Sequence, residues 1–323
     1  MRHAILEYLR ESEGEFVSGQ HLSNKLNVSR TAVWKHIKAL KERGYLIEAY
    51  TRKGYRLVGS PDLLAPTEIL DGLETRAFGH NIQYVEKTES TNVLAKIAAS
   101  LGALEGTIVV AEEQVAGHGR LSRGWYSPFA KGVWFSIILR PSFLPMEASK
   151  MTLLAAVALT KAFHRLGLTN CGIKWPNDIL VNGRKLVGIL TELDATMEEI
   201  NYIVMGMGIN VTQKKAEFPK ELKKIATSFW AENVMVGRKE ILQNVLLELE
   251  RSCDVVQREG FEPILKEWKT LSVTLNKYVN VIAPDKTFTG KAIDLDQDGN
   301  LLVQTENGVE RVMAGDVSIR PAK

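Results

Sequence analysis

The sequence contains little cysteine. Cys171 and Cys253 are the only cysteines among 323 residues. So few thiols are typical of a protein from the reducing cytoplasm, and they argue against a metal site built from thiolates. We therefore expect a cytoplasmic protein whose chemistry does not depend on cysteine.

Long apolar runs and several common catalytic patterns are also lacking. No apolar stretch reaches the length needed to cross a membrane, and the opening segment MRHAILEYLRESEGE is too acidic for a signal peptide. No phosphate-binding GKS/T motif, zinc-ligand spacing or Ser/His/Asp order stands out. These absences predict no membrane partner and argue against P-loop enzymes and the common hydrolases.

Basic charge is concentrated at one end of the chain. The net charge is +3, but residues 1–60 carry 11 Lys/Arg and six Asp/Glu residues, whereas the remainder carries 30 and 32. The first segment is therefore at +5 and the rest at −2. This split indicates a polyanion as the partner of the first segment alone. The length predicts two or three domains.

Residues 1–60 have the pattern of three short helices followed by a hairpin. Ser29 can cap the third helix, on which Val33, Ile37 and Leu40 share one apolar face. The strings YLIEAY and YRLV flank the turn TRKG and predict two strands with a basic tip. Helices joined by a tight turn, with a hairpin behind them, are typical of a winged helix-turn-helix.

The polar face of this first segment predicts DNA binding. Contacts with bases or phosphates are expected from the hydroxyl-rich start of the third helix and from the basic tip of the hairpin. The candidate DNA-binding residues are Ser29, Arg30, Thr31, Lys35, Arg52 and Lys53. A small protein-interaction domain with a solvated charged face is the alternative.

The rest of the chain is organised around residues 107–128, TIVVAEEQVAGHGRLSRGWYSP. An apolar, β-branched run predicts a buried strand that ends at Glu112, and GVWFSIIL predicts the next strand. Between them, glycines bracket His118, Arg120 and Arg123. Glycine permits positive φ and close backbone approach, and arginine offers planar charged donors, so this loop is a candidate clamp for an anion. A solvated hairpin loop is the alternative.

Two further segments are candidate ligand contacts. Ser90, Thr91 and Asn92 stand at the expected start of a helix, where free N–H groups favour a carboxylate or ureido oxygen. The same residues are also compatible with a simple helix cap. In GMGINV, Gly206 and Gly208 again allow close backbone approach.

Asn182-Gly183 predicts a hairpin between GIKWPNDILV and RKLVGILTEL. By strict alternation, Lys185 shares a face with Val187 and Ile189, and both faces of this strand have the pattern of buried ones. A buried lysine needs an anionic partner or a ligand, although a lysine near a turn can also extend to solvent. Asp178 follows a proline closely and can hold a metal ion or a hydroxyl, or can close the turn.

From about Lys277 the pattern changes to short strands and turns, which predicts a small all-β module. Within it, Asp294, Asp296 and Asp298 resemble the first half of a calcium loop. Thr305 stands where that loop needs a glutamate, and no helices flank it. We therefore expect a hairpin turn instead.

Taken together, these segments predict a mixed α/β core with a Gly/Arg clamp, a lysine and a polar helix start. Such a site suits a reaction in which a carboxylate attacks a nucleotide phosphate. Cations would neutralise two anions that repel each other, and positioning would supply most of the rate.

Four segments also resemble the signature segments of biotin–protein ligases: KTESTN, EEQVAGHGRLSRGW, KWPNDI followed by GRKLVGIL, and GMGINV. With the winged helix in front and the β module behind, the chain resembles the bifunctional form, biotin–protein ligase and biotin operon repressor, over essentially its whole length. The resemblance implies an α/β (α+β) multidomain protein. Its parts would be a winged helix-turn-helix (1–60), a linker (61–80), a mixed-sheet catalytic domain like that of class II synthetases (81–270) and a small SH3-like β-barrel (271–323).

The resemblance implies a role for individual residues. Biotin contacts are implied for Ser90, Thr91, Asn92, Gln114, His118, Gly119, Arg120 and Lys185. Adenylate or ATP contacts are implied for Arg120, Arg123, Trp125 and Asn210. Lys185 and Arg120 would be catalytic, and Asp178 would hold a metal through Mg-ATP. His118 replaces the first arginine of the usual Gly-Arg-Gly-Arg loop, and a histidine is only partly charged near neutral pH.

The implied reaction makes biotinyl-5′-adenylate from biotin and ATP with Mg²⁺. It then transfers biotin to a lysine of a carrier such as the biotin carboxyl carrier protein of acetyl-CoA carboxylase. Operator DNA and a second copy of the chain, in a homodimer formed on ligand binding, are further implied partners. Two alternatives stay open: a lipoate–protein ligase, and a ligand-sensing repressor without catalysis. The winged helix and the GHGRLSR loop favour biotin over lipoate, and Lys185 with Arg120 favours catalysis.

Overall fold

The structure, a computed structural model, describes residues 1–42, 44–60, 62–283, 286–314 and 318–321. The chain divides into two compact units, Met1–Leu63 and Leu64–Lys323. The two units have separate hydrophobic cores. Over the described ranges, no helix is both long and apolar enough to span a lipid bilayer.

The first unit has the three helices and the hairpin of a winged helix-turn-helix. Its elements are α1 (Arg2–Glu11), α2 (Gly19–Leu26), α3 (Arg30–Glu42) and the antiparallel strands β1 (Leu46–Tyr50) and β2 (Gly54–Gly59). The Ser29 hydroxyl accepts the backbone N–H of Ala32 at 3.2 Å and so caps α3, as expected. The apolar stripes of the helices meet in one core, formed by Ile5, Leu6, Leu9, Leu22, Val33, Ile37 and Leu40.

The segment expected to be a linker, 61–80, packs largely as part of the second unit. It contains the short helix α4 (Pro66–Leu70), and it buries Leu64, Ile69 and Phe78 in the core of that unit. The Glu250 carboxylate also accepts the backbone N–H groups of residues 76–78 at 2.8–3.0 Å. Buried apolar side chains and this anchor therefore attach the expected linker segment to the second unit; Pro61 lies outside the described residues.

A seven-stranded mixed sheet forms the centre of the second unit. Its strands lie in the order β3-β4-β5-β9-β8-β7-β6, and every neighbouring pair is antiparallel except β3 with β4. The strands are β3 (Ile82–Thr88), β4 (Ile108–Gln114), β5 (Gly132–Leu139), β6 (Cys171–Lys174), β7 (Asp178–Val181), β8 (Arg184–Ala195) and β9 (Ile200–Asn210).

Helices cover both faces of this sheet. On one face α5 (Thr91–Ser100) packs through Ala95 and Ala99 against Val109, Ile138 and Val204. The alternate residues of the same strands belong to the large core, which also holds the apolar side chains of α6 (Lys150–Arg165), α7 (Arg238–Glu259) and α8 (Glu262–Leu271). The face that carries α5 therefore also presents Ser136, Gly206 and Gly208, which become important below.

Strand β4 does not end at Glu112, as the sequence suggested, but continues to Gln114. Glu112 is fully buried because its carboxylate pairs with Arg238, which is also fully buried, at 2.8 Å. The same carboxylate accepts the backbone N–H of Leu64 at 2.7 Å. A buried charge is tolerated where it is paired and hydrogen-bonded, so the strand can run through a glutamate.

The prediction that Lys185 shares a face with Val187 is wrong. The pairing of β7 with β8 shifts register, with Ile179 opposite Val187 but Leu180 opposite Lys185. Leu186 is the extra residue of this bulge, and an extra residue reverses the alternation of side chains on either side of it. Lys185 therefore lies on the α5 face beside Gly188, where a Cβ would stand 3.3 Å from the Lys185 Nζ.

A five-stranded antiparallel sheet follows the helices, in the order β13-β12-β11-β10-β14. Its strands are β10 (Tyr278–Ile282), β11 (Thr287–Leu295), β12 (Leu301–Thr305), β13 (Gly308–Val312) and β14 (Ser318–Pro321). The segment from Asp294 to Asp298 ends β11 and enters the tight turn to β12, which the Asp296 carboxylate closes by accepting the Asn300 N–H at 2.9 Å. The expected hairpin turn is thus observed. Apolar residues of this sheet belong to the same core as the central sheet.

Candidate active site

A cavity of about 470 Å³ lies on the α5 face of the central sheet. The sequence-predicted ligand residues, which are spread over more than 100 positions, all line it. They are Ser90, Thr91, Asn92, Gln114, His118, Gly119, Arg120, Arg123, Trp125, Asp178, Lys185 and Asn210. Their convergence places hydroxyl, amide and cationic groups around one space.

One end of the cavity is a network of hydroxyl and amide groups. Gln114 accepts the backbone N–H of Thr91 at 2.8 Å and donates to the Ser127 hydroxyl at 3.0 Å. The Ser136 hydroxyl donates to Asn92 Oδ1 at 2.6 Å. The side chain of Ser90, by contrast, makes no capping bond to α5, so the simple cap is not its role. Ser127 and Ser136 were not singled out from the sequence, because only the paired strands bring them here.

Glu192 holds this network from the side. Its carboxylate accepts the Asn92 amide at 2.8 Å and pairs with Lys96 at 2.6 Å. Burial raises the pKa of Glu192, but the hydrogen bonds from Lys96 and Asn92 outweigh it, and the pKa lies below its ordinary value. Gly206 completes the arrangement, since a Cβ there would stand 2.0 Å from the Asn92 Oδ1. Asn92 is therefore fixed by charge on one side and by contact on the other.

The Gly/Arg loop folds back on itself. Gly119 N–H donates to the Arg123 carbonyl at 2.8 Å, and Trp125 N–H donates to the Gly117 carbonyl at 2.7 Å. Positive φ was expected at the glycines, but it occurs at Leu121 (56°) and Ser122 (53°). Gly117 serves close approach instead, because a Cβ there would meet Gln114 and Ser127 at 3.1 Å. Non-glycine residues at positive φ cost conformational free energy, which a bound ligand can offset.

Arg120 and His118 extend from this loop in different ways. The Arg120 guanidinium donates to Asn177 Oδ1 at 3.4 Å and to the carbonyl of Ala314, which follows β13. The His118 ring lies at 3.2 Å from the carbonyl of Ala116. Arg120 thus links the loop both to the KWPND segment and to the C-terminal sheet.

Lys185 lies in the middle of the cavity wall. Its Nζ is 2.7 Å from Asp178 Oδ1 and 5.2 Å from the centre of the Trp125 ring. Trp125 packs closely against the glycine-rich strands: a Cβ at Gly208 would stand 2.2 Å from its Nε1. That buried Nε1 has no hydrogen-bond partner among the described residues. A cation and an unsatisfied donor therefore face the same region.

The other end of the cavity is apolar. Phe218, Leu222, Ile225 and Ala226 form its wall. The segment is tied to the lysine strand, because Lys185 N–H donates to the Ile225 carbonyl at 2.7 Å. The Asn210 amide donates to the Thr227 carbonyl at 3.0 Å and accepts from Gln213, so it holds this segment in place. Sequence reasoning missed the apolar wall because these residues carry no distinctive motif.

No metal centre is apparent in the described part of the chain. No group of three or more His, Cys, Asp or Glu side chains with the arrangement of a metal site occurs there. Asp178 stands between two lysines, with Lys174 at 4.0 Å as well as Lys185. Burial raises the pKa of Cys171 to about 12, so this thiol is protonated at neutral pH and unsuited to metal binding.

The predicted DNA-binding residues lie in the first unit and not at this cavity. Arg30, Thr31 and Lys35 are exposed at the start of α3, and Arg52 and Lys53 are exposed at the hairpin tip. Trp34, which sequence reasoning did not single out, is 53% exposed on the same helix, and the Lys38 Nζ lies 5.9 Å from its ring centre. An exposed tryptophan among cations suits an interface with a polyanion.

Comparison with known proteins gives matches over the whole chain. Residues 84–210 match the biotin/lipoate A/B protein ligase family, residues 2–56 match an HTH domain, and residues 274–320 match the biotin protein ligase C terminal domain. The bifunctional ligase/repressor BirA proteins of Bacillus spizizenii and Bacillus subtilis are each 40% identical to the chain, over 99% of it and 98% of their own length.

A solved structure agrees with these sequence matches. The biotin protein ligase from Aquifex aeolicus in complex with biotin and ATP superposes with a TM-score of 0.65 at 27% identity, covering 75% of this chain and 100% of that one. Sequence, domain order and fold thus point to one group of proteins. The chain belongs to the bifunctional ligase/repressor family, with a biotin/lipoate A/B protein ligase domain between an HTH domain and a biotin protein ligase C-terminal domain.

Proposed function

We propose that the chain is a biotin–protein ligase and a DNA-binding repressor. As a ligase it joins biotin to ATP to give biotinyl-5′-AMP, and it then transfers biotin to a lysine of a carrier protein. The observation that carries this proposal is that one cavity of about 470 Å³ unites a hydroxyl and amide network, Lys185 and an apolar end. Each part suits one portion of such an adenylate.

The hydroxyl and amide end suits the ureido ring of biotin. Ser90, Thr91 and Gln114 offer donors and acceptors there, and Asn92 is held in place by Glu192 and Gly206. A site built to hydrogen-bond a polar group rejects analogues that lack it, because its own buried groups are then left unpaired. This end therefore favours biotin over lipoate, whose ring has no ureido group.

Lys185 and the Gly/Arg loop suit the activation step. A carboxylate oxygen of biotin attacks the α-phosphorus of ATP, the bond to the pyrophosphate breaks, and pyrophosphate leaves. Lys185, Arg120, Arg123 and His118 all line the cavity, and Lys185 would stand where the carboxylate and the phosphate meet. Fixed cations in a closed site stabilise the charge of such a transition state.

Mg²⁺ would enter with ATP. Magnesium at such sites is usually held by one or two carboxylates, by water and by the phosphates of the substrate. Asp178 offers one carboxylate on the cavity wall, where it now pairs with Lys185, so the residues present fit a metal carried mainly by the nucleotide. The apolar end would take the adenine, with Asn210 holding that wall.

The transfer step completes the reaction. The amine of a carrier lysine attacks the acyl carbon of the adenylate, the bond between that carbon and the phosphate oxygen breaks, and AMP leaves. The amine loses a proton to solvent as the amide forms. The carrier would be the biotin carboxyl carrier protein of acetyl-CoA carboxylase or of a related enzyme, and the reaction would occur in the cytoplasm, where the free thiols of Cys171 and Cys253 persist.

The winged helix would bind operator DNA when two copies of the chain associate. One such unit covers a single half-site, and repressors of this kind normally place two at a fixed distance through a symmetric dimer. The exposed residues Ser29, Arg30, Thr31 and Lys35 would contact bases or phosphates, and Arg52 and Lys53 would contact the backbone. Biotinyl-adenylate would act as corepressor by favouring the dimer.

One experiment tests the enzymatic proposal directly. The protein is incubated with biotin, ATP-Mg²⁺ and an apo carrier domain, and the carrier is analysed by intact mass. We expect the addition of one biotinyl group, its absence when ATP is omitted, and no lipoyl group when lipoate replaces biotin. Modification with lipoate at the same rate would instead support a lipoate ligase, and no modification of any kind would leave only the repressor.

A further inference from the structure

A series of short hydrogen bonds leads from Glu192 on β8 to the wall of the cavity. The Glu192 carboxylate accepts the Asn92 amide at 2.8 Å, and Asn92 Oδ1 lies 2.6 Å from the Ser136 hydroxyl. The Ser136 oxygen lies 2.7 Å from the hydroxyl oxygen of Thr91, which lines the cavity. We call these four residues the Glu192 network. It joins a carboxylate outside the cavity lining to a hydroxyl group on the cavity wall.

The orientation of the Asn92 amide is determined by the acceptors beside it. Burial raises the pKa of Glu192, but the hydrogen bonds from Lys96 and Asn92 outweigh it and hold the pKa below its ordinary value, so at neutral pH this carboxylate only accepts. The carbonyl of Leu190, 3.4 Å from Asn92 Nδ2, is a second acceptor on the same side. Two acceptors require the amide nitrogen there, and Asn92 Oδ1 must therefore face Ser136.

This orientation in turn determines where the hydroxyl protons lie. Asn92 Oδ1 carries no proton, so Ser136 donates its only proton to it. The contact between the Ser136 and Thr91 oxygens then requires the Thr91 proton. The other acceptor near that proton, Gln114 Oε1 at 3.2 Å, is also a protein group. The Thr91 proton is thus used within the protein, and the Thr91 oxygen presents a lone pair to the cavity.

We propose that Glu192 is a positioning residue for the ligand, because it makes Thr91 an acceptor for a ureido N–H group of biotin. This inference rests on the proposed ligase function and adds to it a residue that does not line the cavity. A ureido ring carries N–H donors. A hydroxyl group whose proton already points away from the ligand can accept such a donor without reorganisation, which favours binding.

The network needs an acceptor at position 192 and not the charge of the ion pair. The Lys96 ammonium contacts Glu192 Oε1 at 2.6 Å, whereas the Asn92 amide is bonded to Oε2. The Lys96 side chain is 40% exposed, so its ammonium group can turn to water if the carboxylate is removed. A neutral amide at position 192 can then still offer its oxygen to Asn92.

Replacements at both ends of this argument test it. Glu192→Met removes the acceptor, Glu192→Gln keeps an oxygen without the charge, and Ser136→Ala interrupts the network in its middle. Lys96→Met removes only the ion pair. Glu267→Met is the matched control, since Glu267 is a half-buried glutamate that pairs with Lys161 at 3.1 Å. For each full-length variant, pyrophosphate release is measured against biotin concentration at saturating ATP-Mg²⁺, which gives kcat and KM.

We expect Glu192→Met to raise the KM for biotin about tenfold while kcat stays within about twofold of the wild type, because the lost contact is far from the reacting carboxylate. Ser136→Ala should raise KM to a similar extent. The double variant Glu192→Met/Ser136→Ala should be no worse than the worse single variant, since both changes interrupt one network. Glu192→Gln, Lys96→Met and Glu267→Met should keep the wild-type KM.

An unchanged KM in a folded Glu192→Met protein would overturn the proposal. So would an equal loss in Glu192→Gln, which would assign the effect to charge, and so would additive losses in the double variant, which would indicate two independent contacts. Should Glu192→Met fold poorly, an unchanged KM in Ser136→Ala rejects the network by itself. A wild type that releases no pyrophosphate with biotin and ATP rejects the proposed ligase function instead.

Discussion

The environment of Lys185 combines one carboxylate and one aromatic ring. Asp178 lies at 2.7 Å from its ammonium group, and the Trp125 ring lies at 5.2 Å. Such contacts hold the cation in one place before a substrate arrives, so that little reorganisation is needed during the reaction. Under the proposed function, its charge would then stabilise the negative charge that develops when a carboxylate meets a phosphate.

Replacing Lys185 by alanine should therefore slow catalysis strongly. We expect Lys185→Ala to lose about 3 kcal/mol of transition-state stabilisation, or roughly 100-fold in the rate of adenylate synthesis, with transfer slowed as well. The matched control is Lys269→Ala, because that lysine pairs with Asp294 and does not line the cavity. Wild-type rates of pyrophosphate release in a folded Lys185→Ala protein would remove Lys185 from the catalytic step.

Arg120 should retain the reactive intermediate. In Arg120→Gly we expect biotinyl-adenylate to escape and to acylate exposed lysines of bystander proteins, because the charged contact proposed between Arg120 and its phosphate would be missing. The measurement is biotin labelling of added serum albumin, with Arg76→Gly as a control that leaves the cavity unchanged. Labelling restricted to the carrier, at the normal rate, would show that Arg120 does not hold the adenylate.

Single residues differ in how far the sequence could predict them. Ser90, Lys185 and the loop arginines could be predicted as ligand residues because each stands in a short pattern of glycines, turns or helix starts, whereas Gln114 was implied only by the family resemblance of its segment. Ser127, Ser136 and Glu192 stand in no such pattern. Their contacts with Asn92 and Gln114 depend on which strands pair, and strand pairing joins positions up to 100 residues apart.

At the scale of elements, the anchoring of residues 76–78 to α7 links charge to stability. Burial raises the pKa of Glu250, but the backbone N–H groups of Arg76, Phe78 and Ala77 outweigh it and hold the pKa below its ordinary value of 4.5. A carboxyl group with a lower pKa in the folded state contributes stability above its unfolded pKa. That contribution is lost as the pH falls through the folded value.

Removing this charge should cost stability only where the carboxylate is ionised. We expect Glu250→Gln to lower the free energy of unfolding of the second unit by about 2 kcal/mol at neutral pH, with the gap to the wild type narrowing as the pH falls below 4.5. Urea unfolding at several pH values measures it, and Glu259→Gln, exposed on the same helix, serves as the control. If the difference in unfolding free energy between the two proteins does not change with pH, the Glu250 carboxylate does not stabilise residues 76–78 through its charge.

The elements themselves were largely predictable, but two of their details were not. Alternation and turn residues indicated the strands and the Asn182-Gly183 hairpin. The bulge at Leu186 was not predictable, since a sequence does not say where a strand gains an unpaired residue, and it moved Lys185 to the other face. The continuation of β4 through Glu112 was not predictable either, because Arg238, the partner of the Glu112 carboxylate, lies 126 positions away.

At the scale of the whole molecule, the two units should have separable roles. We expect a chain that begins at Leu64 to biotinylate the carrier normally and to lose DNA binding, since the cavity residues all belong to the second unit. Binding of the full chain to operator fragments should also weaken steeply with salt, because phosphate contacts release counterions. Loss of ligation in the shortened chain would contradict this separation.

Ligand and DNA should communicate through dimer formation. The loop holds Leu121 and Ser122 at positive φ, and contacts from a bound adenylate to Arg120 and Arg123 would offset the cost of ordering it. We expect a non-hydrolysable adenylate analogue to raise the dimer fraction in sedimentation and to strengthen operator binding, and apo carrier to reverse both. Equal dimerisation with and without the analogue would reject this coupling.

The C-terminal sheet shares one hydrophobic core with the catalytic sheet, and the Trp175 indole donates to the carbonyl of Gly299 in the turn that joins β11 to β12. Although three family domains are recognisable along the chain, the described residues form two compact units, and we expect these two bodies to melt independently. Scanning calorimetry should resolve two heat-absorption peaks and not three. Biotin with ATP should move the peak of the second body as a whole, so the small sheet stays folded as long as the enzyme holds its ligand.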